Sequence, residues 1–242
     1  MKTILITGAT SGIGKALTLL CAQKNYKVIA CGRNQDALEA LAKYDNISTL
    51  KFDIANQQQV ADALQNVHPD IAVLNAGVCE YVDIDCFEVT LFKRVFDVNF
   101  MGVVNCTASL IKASSPPQQI VIVDSLARLL PFTRSQAYGA SKAALHYFSK
   151  SMQVDLAPKN ILIQSASPGF VETPLTDKND FEMPMKISVN EAADALLVGI
   201  EQRHSSIYFP KKLSFILRFL NLFPAWAKFK ISSKMKNTQD TE

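Results

Sequence analysis

Tyr138 and Lys142, in the run Tyr138-Gly139-Ala140-Ser141-Lys142, are the residues of this chain whose types and spacing best suit proton transfer. Side chains four apart on a helix share a face, so the spacing predicts the Lys142 ammonium beside the Tyr138 phenol. A free tyrosine releases its proton only near pH ~10. A neighbouring cation favours the phenolate and lowers that value, which would make the pair a general acid/base usable near neutral pH. Tyr-x-x-x-Lys also occurs by chance on solvated helix faces, and its companions decide between the two readings. Ser125 lies thirteen residues upstream, and a glycine-rich turn opens the chain.

That turn has the surroundings such chemistry needs. Thr3-Ile4-Leu5-Ile6-Thr7 is a short β-branched run of the kind a buried parallel strand shows. It passes through Gly8-Ala9-Thr10-Ser11-Gly12-Ile13-Gly14 into a stretch from Lys15 with helical spacing. Strand, glycine turn and helix together make a phosphate-binding loop credible. Gly8 would permit the tight turn and Gly12 would let backbone N–H groups approach a pyrophosphate. Gly14 would allow the helix to pack closely on the strand, with the helix N-terminus favouring negative charge. The spacing is Gly-x-x-x-Gly-x-Gly rather than the commoner Gly-x-Gly-x-x-Gly.

With these pieces in order, the chain resembles the classical short-chain dehydrogenase/reductase (SDR) family. The family's Thr-Gly-x-x-x-Gly-x-Gly stands as Thr7 to Gly14, and its Asn-Ala-Gly as Asn75-Ala76-Gly77. Its helix asparagine is Asn99, its serine Ser125, and its Pro-Gly loop Pro168-Gly169, with Thr173 following. The likeness runs collinearly from residue 3 to about 210. It implies Ser125, Tyr138, Lys142 and Asn99 as the catalytic set. Tyr138 would exchange a proton with the substrate oxygen, Ser125 would hold that oxygen, and Lys142 would also hold the nicotinamide ribose. Asn99 would position a water that relays protons through Lys142. Cofactor contacts are implied for Gly8, Ser11, Gly12, Ile13 and Gly14, and for Arg33, Asp53 and Ile54. They are implied also for Asn75, Ala76, Gly77, Tyr138, Lys142, Pro168, Gly169, Val171 and Thr173. Three positions depart from the family pattern: Leu74, Asp124 and Arg128. Arg128 is expected near the substrate mouth.

The end of the second apolar run bears on the cofactor. In Cys31-Gly32-Arg33-Asn34, an acidic residue near position 32 would bind the ribose hydroxyls of NAD. Gly32 and Arg33 stand there instead, and a guanidinium suits a 2′-phosphate, with Lys15 as a possible second charge. The expectation is NADP in preference to NAD. In the family pattern, Asp53 would accept a bond from the adenine amino group, and Asn75-Ala76-Gly77 would line the adenosine ribose.

Composition and pattern describe the frame. A chain of 242 residues with 48% hydrophobic content is within the range of a single α/β domain. Strand-like runs at 3–7, 26–31, 47–52, 70–74, 119–123, 161–166 and 206–209 alternate with helical patterns. They predict an α/β fold: one doubly wound Rossmann domain with a seven-stranded parallel sheet and helices on both faces. Residues 1–210 would form the NAD(P)-binding catalytic unit and 211–242 a basic amphipathic extension of it. The five cysteines are scattered and lack nearby histidines, so reduced packing residues are expected and no metal is indicated. His68, His146 and His204 read as isolated. With no secretory signal before the first strand, a cytoplasmic location is expected. Residues 174–190 read as a substrate lid.

The extension is the least ordinary part. It holds seven basic residues against two acidic ones. Leu213, Phe215, Ile216, Leu217, Phe219, Leu220, Leu222, Phe223, Trp226 and Phe229 form a wide apolar face, with Pro224 expected to separate two short helices. The first is about 16 Å long at ~1.5 Å per residue, too short to span a ~30 Å hydrocarbon core. It could lie in a bilayer interface, pack over the substrate pocket, or meet a second subunit. Nucleic-acid binding is not expected, because the cations are confined to this tail among bulky aliphatics.

The reading is an NADP(H)-dependent oxidoreductase interconverting a small-molecule carbonyl and alcohol, with a bulky apolar substrate, in a homodimer or homotetramer. The alternative is an NADP-binding, redox-responsive interaction protein with little turnover. An epimerase or dehydratase is weaker, since no substrate domain is appended.

Overall fold

The structure, a computed structural model, describes residues 1–176 and 183–239. Every apolar run forms a strand: β1 Thr3–Thr7, β2 Lys27–Gly32, β3 Ile47–Lys51, β4 Ile71–Leu74, β5 Gln119–Val123, β6 Leu162–Pro168 and β7 Ser206–Phe209. They make one parallel sheet ordered β3-β2-β1-β4-β5-β6-β7, the expected seven-stranded doubly wound arrangement. The helices are α1 Gly12–Gln23, α2 Gln35–Leu41, α3 Gln57–Leu64, α4 Val89–Phe96, α5 Gly102–Lys112, α6 Gln136–Leu156, α7 Val189–Glu201, α8 Lys211–Asn221 and α9 Ala225–Gln239.

Because strand side chains alternate between faces, the central strands feed two cores. Ile4, Ile6, Val73 and Val121 pack with Leu17 of α1 and Leu196 of α7. Leu5, Ala72, Leu74 and Ile120 pack on the other face with Leu64 of α3, Leu110 of α5 and Leu145 of α6. Polar ends are capped locally. Asn34 accepts from the Ala37 N–H at the start of α2, and Asn56 from the Gln59 N–H at the start of α3. Ser188 and Glu191 close a capping box on α7.

All five cysteines are thiols. Burial pushes Cys21 and Cys106 up to about 12, with Glu201 adding to the effect at Cys21. They are inert packing groups at neutral pH. Among the described residues no helix is long and apolar enough to cross a membrane.

Sheet order reverses at β1, with β2 on one side and β4 on the other. Ligands of open α/β sheets bind outside the carboxyl ends of the strands at such a switch point. The segments that emerge there are Gly8–Gly14 after β1, Asn75–Gly77 after β4, Asp124–Ser125 after β5 and Gly169 after β6.

Candidate active site

The turn after β1 is shaped by its glycines. Gly8 has φ of +68°, and a side chain there would approach the Ala76 Cα to 2.8 Å. A side chain at Gly14 would stand 2.2 Å from the Gly8 carbonyl oxygen, so α1 can start this close only without one. The β1 and β4 loops are tied together. Thr7 Oγ1 accepts from the Asn75 and Ala76 N–H groups at 3.0 and 3.2 Å, and Asn75 Nδ2 donates to the Thr7 carbonyl at 3.1 Å.

These loops bound a cavity of about 330 Å³. It is lined by Gly8, Ser11, Gly12, Ile13, Arg33, Asp53, Ile54, Asn75, Ala76, Gly77, Tyr138, Lys142, Pro168 and Thr173, all expected as cofactor contacts. Three expected contacts lie elsewhere. Gly14 stands behind the turn. Val171 is in the core and bridges to Ile187. Gly169 lines a second cavity, where a side chain would strike Leu213 at 2.8 Å. Lys15, expected as a second charge for a 2′-phosphate, is exposed on α1 and does not line the cavity. Arg33 does line it and meets Asp53 at 3.3 Å in an exposed pair. Thr10, outside the expected contacts, also lines it, as do Pro174 and Leu175 at the start of the expected lid. Thr10 abuts Gly32, where a side chain would come within 2.6 Å of its methyl. Residues 177–182 of the expected lid lie outside the described residues.

The second cavity, of about 120 Å³, is mostly apolar. Ser125, Leu126, Phe132, Phe170, Leu213 and Leu217 are among its walls. Leu213 and Leu217 project from α8 onto Leu126, Leu129 and Leu130. The tail therefore covers the cavity with one side of α8 and with Ser232 and Met235 of α9. Phe215, Phe219 and Leu222 on the other side of α8 are 72%, 54% and 81% exposed, so the single wide apolar face expected from the sequence is split in two. Tyr138 and Leu175 line both cavities.

The catalytic candidates converge where the cavities meet. Ser125 Oγ accepts from the Ala127 N–H at 3.1 Å and makes only a long bond to the Pro168 carbonyl, 3.5 Å. Its hydroxyl also hydrogen-bonds the Tyr138 side chain. Lys142 is buried, and its Nζ lies 5.8 Å from the centre of the Tyr138 ring and donates to the Val123 carbonyl at 2.9 Å. Asn99 sits in a π-helical turn, Asp97–Met101, a device common at functional sites. Its Oδ1 accepts from the Val78 N–H at 2.8 Å. Its Nδ2 donates to the Val78 carbonyl at 2.9 Å and to Ser141 Oγ at 3.0 Å. Ser141 in turn donates to the Tyr138 carbonyl at 2.7 Å. Asn99 thereby braces the first turns of α6 through Ser141, a contact that spacing alone did not mark. A side chain at Gly77 would stand 3.2 Å from Asn99 Oδ1 and 3.4 Å from Lys142 Nζ, so this glycine opens the space between them.

The electrostatics differ from the sequence expectation. Tyr138 is raised well above the ordinary tyrosine value. Burial is the main cause, the Cys79 and Asp124 charges add to it, and the Ser125 hydrogen bond works against it. Lys142 does not reverse this, because burial pulls its own value down to about 8 and its ammonium is directed at Val123.

Arg128 also departs from expectation. Instead of facing the substrate mouth, its side chain is 9% exposed, with Nε 3.2 Å from Asp124 Oδ2 and Nη2 3.4 Å from Ser167 Oγ. Nor is His146 isolated, since its Nδ1 lies 2.6 Å from the same carboxylate oxygen. A fully buried carboxylate needs partners, and these two supply them. Asp124 Oδ1 has no hydrogen-bond partner among the described residues, and Asp124 lines the larger cavity.

The short chain dehydrogenase family matches residues 2–183. The chain belongs to that family. An uncharacterized oxidoreductase of Staphylococcus epidermidis is 30% identical over 83% of this chain and 91% of its own length. The NADPH-dependent 1-acyldihydroxyacetone phosphate reductase of Schizosaccharomyces pombe is 34% identical over 73% of this chain and 62% of its own. A short chain dehydrogenase from Burkholderia cenocepacia, solved with NADP, shares the fold at a TM-score of 0.81. It is 24% identical over 90% of this chain and 92% of its own. Membership makes this chain an oxidoreductase of the dehydrogenase/reductase type.

Proposed function

We propose that the protein is an NADPH-dependent reductase of a bulky, apolar carbonyl compound. The observation that carries this is the position of Tyr138, on the wall shared by a large polar-edged cavity and a smaller apolar one. A group there reaches a substrate in one and a cofactor in the other.

The residues present fit NADP. The glycine turn leaves a cradle that side chains would fill, and Asp124 Oδ1 is a buried acceptor without a partner among the described residues. Arg33 stands 63% exposed at the cavity edge. An exposed ion pair contributes little, so its bond to Asp53 does not prevent it from engaging a 2′-phosphate. Gly8, Gly12, Ser11 and Ile13 would hold the pyrophosphate, Asn75 to Gly77 the adenosine ribose, and Lys142 the nicotinamide ribose. The cofactor, when bound, supplies the hydride for the carbonyl carbon. The S. pombe relative is named as an NADPH-dependent enzyme, which supports the same choice here.

The remaining chemistry belongs to the chain. A phenol held above its ordinary value carries its proton at neutral pH, so Tyr138 is poised to donate to the carbonyl oxygen, the role a reductase needs. Ser125, which hydrogen-bonds Tyr138 and is bound only weakly to Pro168, would turn its hydroxyl to that oxygen and stabilise its developing charge. Lys142 would reprotonate Tyr138. Asn99 uses both amide hydrogens within the protein, so a water on its relay would rest on the remaining acceptor capacity of Oδ1. Leu126, Leu213, Leu217 and Phe170 would receive an apolar chain. The same relative is named for an acylated carbonyl substrate, which agrees with that wall. The homodimer or homotetramer is retained as the assembly, to be checked by light scattering.

The deciding experiment is NADPH oxidation measured over ketones graded by chain length. Turnover that improves with chain length supports the reading. NADPH binding with no turnover on any member would favour a redox-responsive binding protein instead.

A further inference from the structure

The described part of the tail, 211–239, contains seven lysines and arginines and no acidic residue. While one side of α8 closes the apolar cavity, the other carries Phe215, Phe219 and Leu222 at spacings of four and three, and α9 continues the exposure with Trp226 and Phe229. These five are 54–81% exposed, and none of them lines either cavity. Lys211 and Lys212 are exposed at the start of α8, and Lys230 lies 5.5 Å from the Trp226 ring centre.

We propose that this outer face of α8 and α9 is a docking surface for an anionic lipid membrane. Bulky aromatic and aliphatic side chains on short helices, accompanied by cations, suit the boundary between headgroups and acyl chains. Lysine stems can lie along apolar surface while their ammonium groups reach the phosphates. Trp226 is the side chain type that prefers this boundary. A second copy is the poorer occupant, because an isologous contact would set this all-cationic segment against itself. Docking turns the tail into a plate with lipid on one side and the apolar cavity on the other. If the reductase reading holds, a carbonyl compound dissolved in lipid would have a short route to Tyr138.

The test is sedimentation of the full-length protein with vesicles of phosphatidylcholine alone or mixed equally with phosphatidylglycerol. It needs no turnover, so its failure is separable from failure of the reductase reading. The protein is expected to sediment with the mixed vesicles, to remain in solution with phosphatidylcholine alone, and to be released by salt. Combining Phe215→Ser, Phe219→Ser and Leu222→Ser should weaken sedimentation at least about tenfold with the melting temperature preserved, since these groups bury little in the free protein. Should that variant fold poorly, Lys211→Glu with Lys212→Glu provides an independent arm with the same expected loss. Retention of the wild type in the supernatant at low salt overturns the proposal. So does undiminished sedimentation of a folded variant, or a lipid-free dimer that the serine substitutions dissociate.

Discussion

At the scale of single residues, the site is organised by burial. Tyr138 keeps its proton because its surroundings disfavour the phenolate, and Tyr138→Phe should therefore abolish turnover while NADPH binding persists. Steady-state kinetics beside calorimetric titration will check both halves, and a wild-type kcat would remove Tyr138 from the acid role. Lys142 shows the cost of the arrangement. Its value of about 8 against an ordinary 10.5 means that below pH 8 a cation is held where folding disfavours it. The unfolded chain binds more protons between pH 8 and 10.5, so this contribution makes stability rise with pH across that window. Removing the charge should relieve about 3 kcal/mol at pH 7, partly offset by about 1 kcal/mol for the lost bond to Val123. Lys142→Met is expected to be the more stable protein in urea titrations without cofactor, and inactive. Arg33→Ala should weaken NADP by about 1.5–3 kcal/mol and NAD much less, as one charge-assisted bond is lost. Tighter wild-type binding of NAD than of NADP would contradict that choice.

At the scale of elements, two glycines separate a functional turn from an ordinary helix position. A methyl at Gly14 meets the Gly8 backbone at 2.2 Å, whereas at Gly139 in α6 its nearest neighbours are 3.6 Å and 3.7 Å away. Gly14→Ala is expected to displace α1 from β1, lower stability by about 1–3 kcal/mol and impair NADPH binding. Gly139→Ala, beside Tyr138, should instead raise stability by about 0.5–1 kcal/mol through helix propensity. Thermal denaturation of the pair with and without NADPH distinguishes the cases. Both glycines belong to short motifs in the sequence, but only the packing reveals which one tolerates a side chain.

For the whole molecule, the tail is an addition to a sheet whose two main cores do not include it. Among the described residues, the larger cavity takes no wall from any beyond Leu175. The apolar cavity takes Leu213 and Leu217 from α8 and Ser232 and Met235 from α9, and the two leucines cover Leu126, Leu129 and Leu130. Ending the chain at Pro210 should leave NADPH affinity intact, raise KM for long-chain ketones and lower the melting temperature. Unchanged KM in the shortened enzyme would show that the tail is not part of the substrate wall.

What could be read along the chain was local. The β-branched runs marked all seven strands, because buried parallel strands need continuous apolar stretches. Gly8, Gly12 and Gly14 marked the turn because backbone conformation and close approach permit little else there. Pro224 divided the two tail helices at the expected place. Side-chain direction and burial, by contrast, depend on partners distant in sequence. Arg128 reads as a mouth residue until Asp124 and Ser167 draw it inward. Tyr138 looks acidified by Lys142 until both are enclosed by β5, α6 and the loop after β4. The tail shows one broad apolar face until Leu126, Leu129 and Leu130 take half of it. Local periodicity can place an element, but only the assembled core sets which side it buries and how much water reaches its charges.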